Sequence, residues 1–487
     1  MPARNVLKLS NRPDLYIKFL YANSTIQLGY IPEDIREAYL DSIRSFNDFY
    51  EEAPRKIGPI DFLQSFDALI ASISGRGFQF SQNDEPIFLN SDLKLINGAH
   101  RVAVSAVLGL TLEFNITDSV DAEYDYEYFM KRGMNKRTLE LSLRAKTHLD
   151  QNLQCVIVHG VVTDKARELI KRKLTEQSKL FYFIDIKLDV PKEFYLKYIN
   201  YLLFSPEPIS WQGDAASGFK GLKSHARKSF GNQPTSFYFL TDISQSNLIE
   251  LKSNLRSLTT AKNFGVHSAE TPEEVIEIMN FVTNDLVTNG SQRVNYDFDI
   301  DFLERLRAAR KLLEDNCMIE HTIIGGSAVL EVFGLRKSRD LDIFIEQSSL
   351  ETFELIDSFD ISISAFTTLN LGSSIKELLL DPGKSFSLAG LNFISLSQLR
   401  DFKLSRAEYP KDYRDLDLIV NVSDKKANVR VYRKLMSLLK FRIWKIFSIF
   451  IFIAQKSKDE IVKRPLLFRA VKRIKNFVIS RSSRSYE

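Results

Sequence analysis

Residues 323–346 read IIGGSAVLEVFGLRKSRDLDIFIE, and this stretch decides how the rest of the chain is interpreted. The apolar residues up to Ile324 predict a strand that ends in a tight glycine turn at residues 325–327. A short helix is expected over residues 328–333, and a second strand after it. A glycine turn of this kind lets the backbone approach a phosphate closely.

The second strand carries two carboxylates, Asp340 and Asp342, which alternate with aliphatic residues. Residues two apart in a strand share a face, so both carboxylates are expected to point one way and the aliphatic side chains toward the core. Mg²⁺ prefers oxygen ligands, and two acids opposite a glycine turn suit Mg²⁺ that carries a nucleoside triphosphate. The alternative is a strand edge with two solvated acids beside a loop.

This pattern resembles the signature of the nucleotidyltransferase superfamily of DNA polymerase beta, in its minimal type. The signature is a Gly-Gly pair followed by Asp-x-Asp between apolar residues, and here 13 residues separate Gly326 from Asp340. The resemblance covers about residues 300–425. It implies that Asp340 and Asp342 are catalytic and bind Mg²⁺, and that further residues bind the nucleotide. Those residues are Gly325, Gly326, Ser327, Lys403 and Lys411.

The family usually adds a third carboxylate on a later strand. Asp360 is one candidate for that position, whereas Asn392 stands in the more strand-like segment. The later segment KDYRDLDLI, residues 411–419, is similar to a Lys-Asp-x-x-Asp helix in small members of the superfamily.

A strand is expected at Leu93–Ile96, and it leads into a second candidate phosphate site at Gly98, His100 and Arg101. Gly98 allows a turn at a helix start, where free amides attract anions, and Arg101 adds a fork for phosphate. The alternative is a helix cap with one exposed arginine and one buried histidine. The turn resembles the Gly-x-His-Arg turn of the ParB/sulfiredoxin fold, which implies nucleotide binding by these three residues.

Residues 121–146 are expected to form a charged connector. Residues 151–290 then alternate predicted strands and helices, which is typical of a ferredoxin-like α/β domain. Near its end, the segment 263–270 precedes a helix that Thr271 and Glu274 are expected to cap. The alternative to a functional His267 is this ordinary cap with a neighbouring histidine. The segment resembles nucleoside diphosphate kinase, which implies that His267 is a catalytic residue that takes a phosphate.

One further feature of residues 151–290 could carry chemistry. Trp211-Gln212-Gly213 is followed by a basic run that contains Lys220, Lys223, Arg227 and Lys228. A solvated basic loop explains this run equally well.

The formal net charge of +4 hides an asymmetry between the body and the C-terminus. Residues 424–487 contain 18 Lys/Arg and 4 Asp/Glu, and the other residues contain 48 Lys/Arg and 58 Asp/Glu. An acidic body is a poor surface for nucleic acid, so no nucleic-acid partner is expected. The two cysteines give no disulfide framework, which favours a reducing compartment.

The basic tail interleaves its cations with large apolar residues. Its uncharged run, residues 446–454, is shorter than the roughly 20 residues that a membrane span needs. Amphipathic helices of this composition suit the surface of an anionic membrane, and binding to anionic vesicles that weakens with salt would test this. The alternative is a helical pair that packs on the body or on a partner.

Together these patterns predict a multi-domain α/β (α+β) protein. The expected domains are a helical region with a ParB/sulfiredoxin-like domain at 1–150, a ferredoxin-like domain at 151–290, a nucleotidyltransferase-like domain at 291–425 and a basic amphipathic helical tail at 426–487. The N-terminus lacks the apolar core of a signal peptide. A cytoplasmic location is therefore expected, with peripheral attachment at the inner face of the plasma membrane.

The combination resembles proteins of bacterial surface-polysaccharide clusters. It implies an Mg²⁺-dependent nucleotidyl or phosphoryl transferase that uses a nucleoside triphosphate and a sugar, polyol or glycan-precursor acceptor. Two alternatives stay open. One is a non-catalytic nucleotide-binding assembly protein, and the other is a toxin- or antitoxin-type nucleotidyltransferase that modifies a macromolecule.

Overall fold

The computed structural model describes residues 1–52, 55–77, 86–118, 124–204, 210–283, 299–346, 361–366, 373–405 and 410–422. The chain divides into two compact units, Met1–Asp412 and Tyr413–Glu487. The described residues of the second unit, 413–422, all belong to one helix. The protein has a mixed α/β architecture with several small sheets, as the sequence predicts. The finer domain names and the boundaries near residues 150, 290 and 425 stay predictions.

The α-helices are α1 (Ala3–Leu9), α2 (Pro13–Leu28), α3 (Glu33–Asn47), α4 (Pro59–Arg76), α5 (Ala99–Val107), α6 (Tyr126–Lys131), α7 (Lys136–Leu149), α8 (Asp164–Gln177), α9 (Val190–Tyr198), α10 (Lys220–Ser229), α11 (Gln245–Ser257), α12 (Pro272–Thr283), α13 (Ile300–Asp315), α14 (Gly326–Val332), α15 (Ile375–Leu380), α16 (Leu396–Ser405) and α17 (Pro410–Val422). A π-helical turn, Ile199–Leu203, extends α9.

The strands are β1 (Tyr50–Glu51), β2 (Lys56–Ile57), β3 (Phe88–Asn90), β4 (Asn115–Thr117), β5 (Gln154–Val158), β6 (Lys179–Ile186), β7 (Thr235–Thr241), β8 (Val266–Ser268), β9 (Thr322–Gly325), β10 (Leu341–Ile345), β11 (Ile361–Ala365), β12 (Ser385–Leu388) and β13 (Leu391–Ile394). They form two-stranded sheets β1-β2 and β3-β4, a four-stranded sheet β6-β7-β5-β8 and a five-stranded sheet β11-β10-β9-β13-β12.

The N-terminal helices pack through one apolar face each. In α3, Ile35, Tyr39 and Ile43 recur at spacings of four and are buried, while Glu33 and Asp34 occupy the first turn, where acids favour the helix dipole. The α3 residues share one core with residues of α2, α4, α5 and α7. Complete burial of each large apolar side chain contributes about 1.5–3 kcal/mol, so this core holds the helical region together.

Two local expectations for the first 150 residues are wrong. The expected strand Leu93–Ile96 is reduced to a single β-bridge between Leu95 and Leu89. The chain turns just before it, where Asn90 Oδ1 accepts the amides of Asp92 (3.0 Å) and Lys94 (2.8 Å). The charged connector expected at 121–146 contains α6 and most of α7, and α7 is largely buried.

Charged residues enter the interior at α7 because each one finds a partner there. Lys146 is 1% exposed, and its Nζ lies 2.7 Å from Asp150 and donates to the carbonyl of Lys8 at 2.5 Å. Glu140 is also buried and forms an ion pair with Lys136 at 3.4 Å. Burying a charged side chain costs less free energy when an oppositely charged group or a hydrogen-bond partner is buried with it.

The four-stranded sheet is antiparallel throughout. β5 pairs with β7 and β8, and β6 pairs with the outer edge of β7. All seven residues of β7 are buried, as expected for a strand covered on both faces. Helices α8 and α11 supply Ile170, Leu174, Leu248 and Leu251 to the core on one face. This sheet carries β8, which contains His267.

The five-stranded sheet is mixed. β10 is antiparallel to β9 and parallel to β11, while β13 is parallel to β9 and antiparallel to β12. The predicted order of strand, glycine turn, short helix and strand is confirmed as β9, α14 and β10. Four of the five β10 side chains are buried, and Asp342 is the half-buried exception.

The C-terminal tail, residues 426–487, lies outside the described residues, so its amphipathic helices and its membrane contact stay predictions. Within the described part of the chain, no helix is both long and apolar enough to cross a membrane.

Candidate functional site

The glycine turn after β9 lies directly against a carboxylate of β10. Asp342 pairs in register with Gly325, and Gly326 follows with φ +64°. A Cβ atom on Gly326 would lie 1.8 Å from Oδ2 of Asp342, closer than any nonbonded contact permits. Glycine at position 326 is therefore what allows the Asp342 carboxylate to sit over the turn.

Asp340 and Asp342 lie close together but do not share a strand. β10 begins at Leu341, so Asp340 stands one residue before it, and the expected strand alternation applies to Asp342 alone. Ser362 of the neighbouring strand β11 donates a hydrogen bond to Asp342 Oδ1 at 3.1 Å. This serine is a site residue that the sequence did not single out, because its register with Asp342 depends on pairing of β10 with β11.

The electrostatics of the pair fit a cation site. The pKa of Asp342 is raised, first by burial and then by the negative charge of Asp340, while Ser362, Lys411 and Lys403 lower it. Two carboxylates that repel one another favour a cation between them, and oxygen ligands suit Mg²⁺. The residues present therefore fit an Mg²⁺ ion with the phosphates as further ligands.

The two predicted lysines, Lys403 and Lys411, differ in solvent exposure. Lys403 is 3% exposed, and its Nζ lies 3.1 Å from Oδ1 of Asp412, which is also buried. Lys411 is exposed, and its positive charge acts on Asp342. Lys403 is therefore held in place with its charge balanced by Asp412, whereas the exposed Lys411 can reach an anionic ligand. Ser327 is half-buried in the first turn of α14.

The third carboxylate of the family pattern is not at Asn392. Asn392 lies on β13, which β9 separates from β10, and its amide donates to the carbonyl of Ile319 at 3.1 Å. Asp360 lies outside the described residues. Across the described ranges, no group of three or more His, Cys, Asp or Glu residues could hold a metal ion. The metal-binding role of Asp340 and Asp342 stays a prediction.

The Gly98 turn has the expected geometry but gives its histidine a packing role. Gly98 has φ +78° and directly precedes α5. His100 Nε2 lies 3.0 Å from the hydroxyl of Tyr39, and its ring lies 4.6 Å from that of Phe66. Burial lowers the pKa of His100 well below its usual value, so the ring is neutral. Arg101 is half-buried beside Gly98. The phosphate-binding role of these residues stays a prediction.

His267 lies in the middle of β8, opposite Ile157, and is 2% exposed. Its Nε2 is 2.6 Å from Oε1 of Glu274. The Glu274 carboxylate also accepts the amide of Glu270 at 2.7 Å, and Thr271 caps α12 through the Glu274 amide. The predicted cap is therefore present. In this arrangement the His267 side chain is almost fully buried, and its catalytic role stays a prediction.

The buried His267–Glu274 pair predicts that the stability of the protein depends on pH. Burial raises the pKa of Glu274 to about 8, while burial and nearby lysines lower the pKa of His267. A carboxyl whose pKa is raised in the folded state binds more protons there than in the unfolded state. Its contribution to stability is therefore present at low pH and is lost as pH rises toward 8.

We expect the free energy of unfolding of the native protein, relative to Glu274→Gln, to fall by about 1 kcal/mol between pH 6.5 and 7.5. Urea unfolding of both proteins at several pH values measures this difference. Groups that titrate in this range without interacting with Glu274 cancel in the comparison. An unchanged difference across the range would mean that Glu274 is ionised in the folded protein.

The three predicted sets of site residues lie on three different sheets. Gly98, His100 and Arg101 follow β3, His267 is on β8, and the Asp340–Asp342 pair is at β10. Among the described residues, the last set is the one that joins predicted residues from separate segments, since the charges of Lys403 and Lys411 act on Asp342. The chain matches no family model, no curated protein and no solved structure.

Proposed function

We propose that the protein is an Mg²⁺-dependent nucleotidyltransferase that acts on a sugar, polyol or glycan precursor. The observation that carries this proposal is the contact between Gly326 and the Asp342 carboxylate. A residue with a side chain at 326 would push the carboxylate away from the turn. The fold therefore holds a pair of acids beside the glycine turn, with the half-buried Asp342 carboxylate directly over it.

The energetic cost of placing these two carboxylates together supports a functional role for them. A half-buried carboxylate next to a second carboxylate weakens the fold, since the pKa of Asp342 is raised. Perturbed pKa values of this kind cluster at functional sites. A purely structural position would be better filled by an uncharged residue that bonds to Ser362.

Each residue has a definite task in the proposed reaction. Asp340 and Asp342 would hold the metal, which neutralises charge on the triphosphate. Lys411 would contact a phosphate, and Lys403, fixed by Asp412, would support the floor of the site. The acceptor oxygen attacks the α-phosphorus, the bond to the β-phosphate oxygen breaks, and pyrophosphate leaves with the electron pair. The acceptor proton passes to the acid pair or to water.

The topology supports the finer domain assignments as part of this proposal. β9 and β10 are antiparallel neighbours joined through α14, and β11 adds in parallel beside β10. The order β6-β7-β5-β8, with β7 between the parallel β5 and β6, is the arrangement expected of a ferredoxin-like domain.

A second candidate function is supported by Ser362. The residue opposite Asp342 on the neighbouring strand is a serine and not a carboxylate. A site with two acids could bind Mg²⁺ and a nucleotide without turnover, which would make the protein a nucleotide-binding assembly factor.

Labelled nucleotides distinguish these functions. The purified chain is incubated with Mg²⁺, a mixture of sugar and polyol phosphates, and each nucleoside triphosphate labelled at the α- or the γ-phosphate. We expect the α-label to move to a small acceptor and the γ-label to leave as pyrophosphate.

Other outcomes would redirect or end the proposal. Transfer of the γ-label would indicate phosphoryl transfer, and α-label on protein or RNA would indicate a macromolecular acceptor. Mg²⁺-dependent binding without transfer would favour the assembly factor. Neither binding nor transfer of any nucleotide would contradict both candidate functions.

A further inference from the structure

A cavity lies beside the four-stranded sheet, with a volume of about 400 Å³. Its described lining comes from four places in the chain: the turn after α9, residues 211–225, the end of α11 and the segment 262–264. Two sequence features that seemed unrelated, the Trp211 region with its basic run and the segment before β8, meet here. Ligand cavities commonly start at about 300 Å³, so this one has room for a small molecule.

One wall of the cavity is aromatic. The Trp211 ring is stacked on His225, with ring centroids 5.0 Å apart and planes 25° apart. Phe264 lies 4.7 Å from His225, and Tyr201 lies 5.5 Å from Trp211. Trp211 nevertheless remains 40% exposed. Rings arranged in this way provide flat surfaces on which a planar group can stack.

The other wall is cationic. Arg256 and Lys262 line the cavity, and none of its described lining residues is acidic. The Arg256 Nε donates to the carbonyl of Val266 at 3.1 Å, which fixes the position of the guanidinium. Lys228 lies over the ring of Phe264, with its Nζ 5.1 Å from the centroid. Cations in the wall disfavour a cationic ligand and favour an anion.

Buried polar groups lie behind the aromatic wall, next to the Tyr201 ring. Lys197 is fully buried with its Nζ 5.8 Å from the Tyr201 ring centroid, and it is held by Glu193 (3.9 Å) and His159 (2.5 Å). His225 Nδ1 is buried and has no hydrogen-bond partner among the described residues. An unpaired buried nitrogen beside a cavity is available to a ligand.

We propose that this cavity binds an organic anion that carries a planar ring, such as an aromatic or heterocyclic phosphate. The ring stacks on the aromatic wall, and the anionic group meets Arg256 and Lys262. The described lining contains no carboxylate that could hold Mg²⁺, so we expect binding here without a metal. This separates the cavity from the acid pair at β10, and either site can exist without the other.

Tryptophan fluorescence can test this proposal, because the chain has only two tryptophans, Trp211 and Trp444. Titrations are run on the full chain in EDTA with adenosine monophosphate, phenyl phosphate, adenosine and ribose 5-phosphate. The first two carry both ring and charge, and the last two carry one each. We expect the ring phosphates to quench Trp211 and to bind at least tenfold more tightly than adenosine or ribose 5-phosphate.

The two ring phosphates distinguish the source of the ligand. Tight binding of adenosine monophosphate alone would identify a nucleotide, and equal binding of phenyl phosphate would identify ring phosphates in general. Both results support the proposal. If ribose 5-phosphate bound as tightly as the ring phosphates, the planar ring would not contribute to binding, and the proposal would be overturned.

Variants at exposed positions locate the binding without risk to the core. Lys262→Gln and Trp211→Leu should each weaken ring-phosphate binding at least tenfold in calorimetry. Asp340→Asn with Asp342→Asn, and Trp444→Phe, should leave it unchanged. Unchanged affinity in both cavity variants, or no binding of any ring phosphate by the native chain, would overturn the proposal.

Discussion

Gly326→Ala should abolish Mg²⁺-dependent nucleotide binding and lower the free energy of unfolding by about 3 kcal/mol. The added methyl group would lie 1.8 Å from Asp342 Oδ2, and φ at this position is +64°. The left-handed conformation alone costs a residue with a side chain about 1–2 kcal/mol. The steric conflict adds to this, since Asp342 must rotate away and lose its hydrogen bond from Ser362.

Gly29→Ala is the matched control for this variant. Gly29 also has a positive φ of +73°, but a Cβ atom there would meet nothing within 4 Å. It should therefore show the conformational cost alone, about 1–2 kcal/mol, and keep nucleotide binding intact. Urea unfolding and calorimetry on both variants separate the two effects. Equal nucleotide affinity in the two variants would mean that the Gly326–Asp342 contact does not shape a binding site.

The sequence predicted the β9–α14–β10 region well because its signals are local. Two adjacent glycines interrupt an apolar run, and the apolar run resumes at Leu341. The error at Asp340 arises because strand ends depend on pairing: β10 pairs with β9 from Asp342 onward, and Leu341 is aligned only with Ile361 of β11. Ser362 could not be predicted at all, since its approach to Asp342 is set by strand register.

The elements that the sequence missed depend on distant partners. β8 has only three residues, Val266–Ser268, and is a strand because β5 pairs with it. The burial of Lys146 in α7 depends on Asp150 and on the carbonyl of Lys8, 138 residues away. The cavity beside the four-stranded sheet joins segments more than 60 residues apart, from Tyr201 to Phe264. Periodicity and composition describe one segment at a time and carry no information on such pairings.

The second large effect is expected from Asp340→Asn combined with Asp342→Asn. The double variant keeps the size of both side chains and removes the two charges that would hold Mg²⁺. The raised pKa of Asp342 marks a carboxylate whose charge the fold disfavours, so the variant should be at least as stable as the native protein. Its loss of function is therefore not expected to come from unfolding.

Asp301→Asn with Asp315→Asn is the matched control. Both residues are exposed on α13, so the control removes the same total charge from the same region without touching the β10 pair. It should bind nucleotide like the native protein. A loss of binding in this control would indicate an effect of overall charge, not of the acid pair.

The most direct test of the proposed site is calorimetry of a nucleoside triphosphate with the native chain, the β10 double variant and the α13 control, each with Mg²⁺ and with EDTA. The gain in affinity that Mg²⁺ produces is the quantity to compare, because we expect the cavity beside the four-stranded sheet to bind nucleotides without metal. We predict a gain of about 100-fold, or about 2.7 kcal/mol, in the native chain and the control, and none in Asp340→Asn with Asp342→Asn. The same Mg²⁺-dependent gain in all three proteins would contradict the assignment of Asp340 and Asp342 as the metal site.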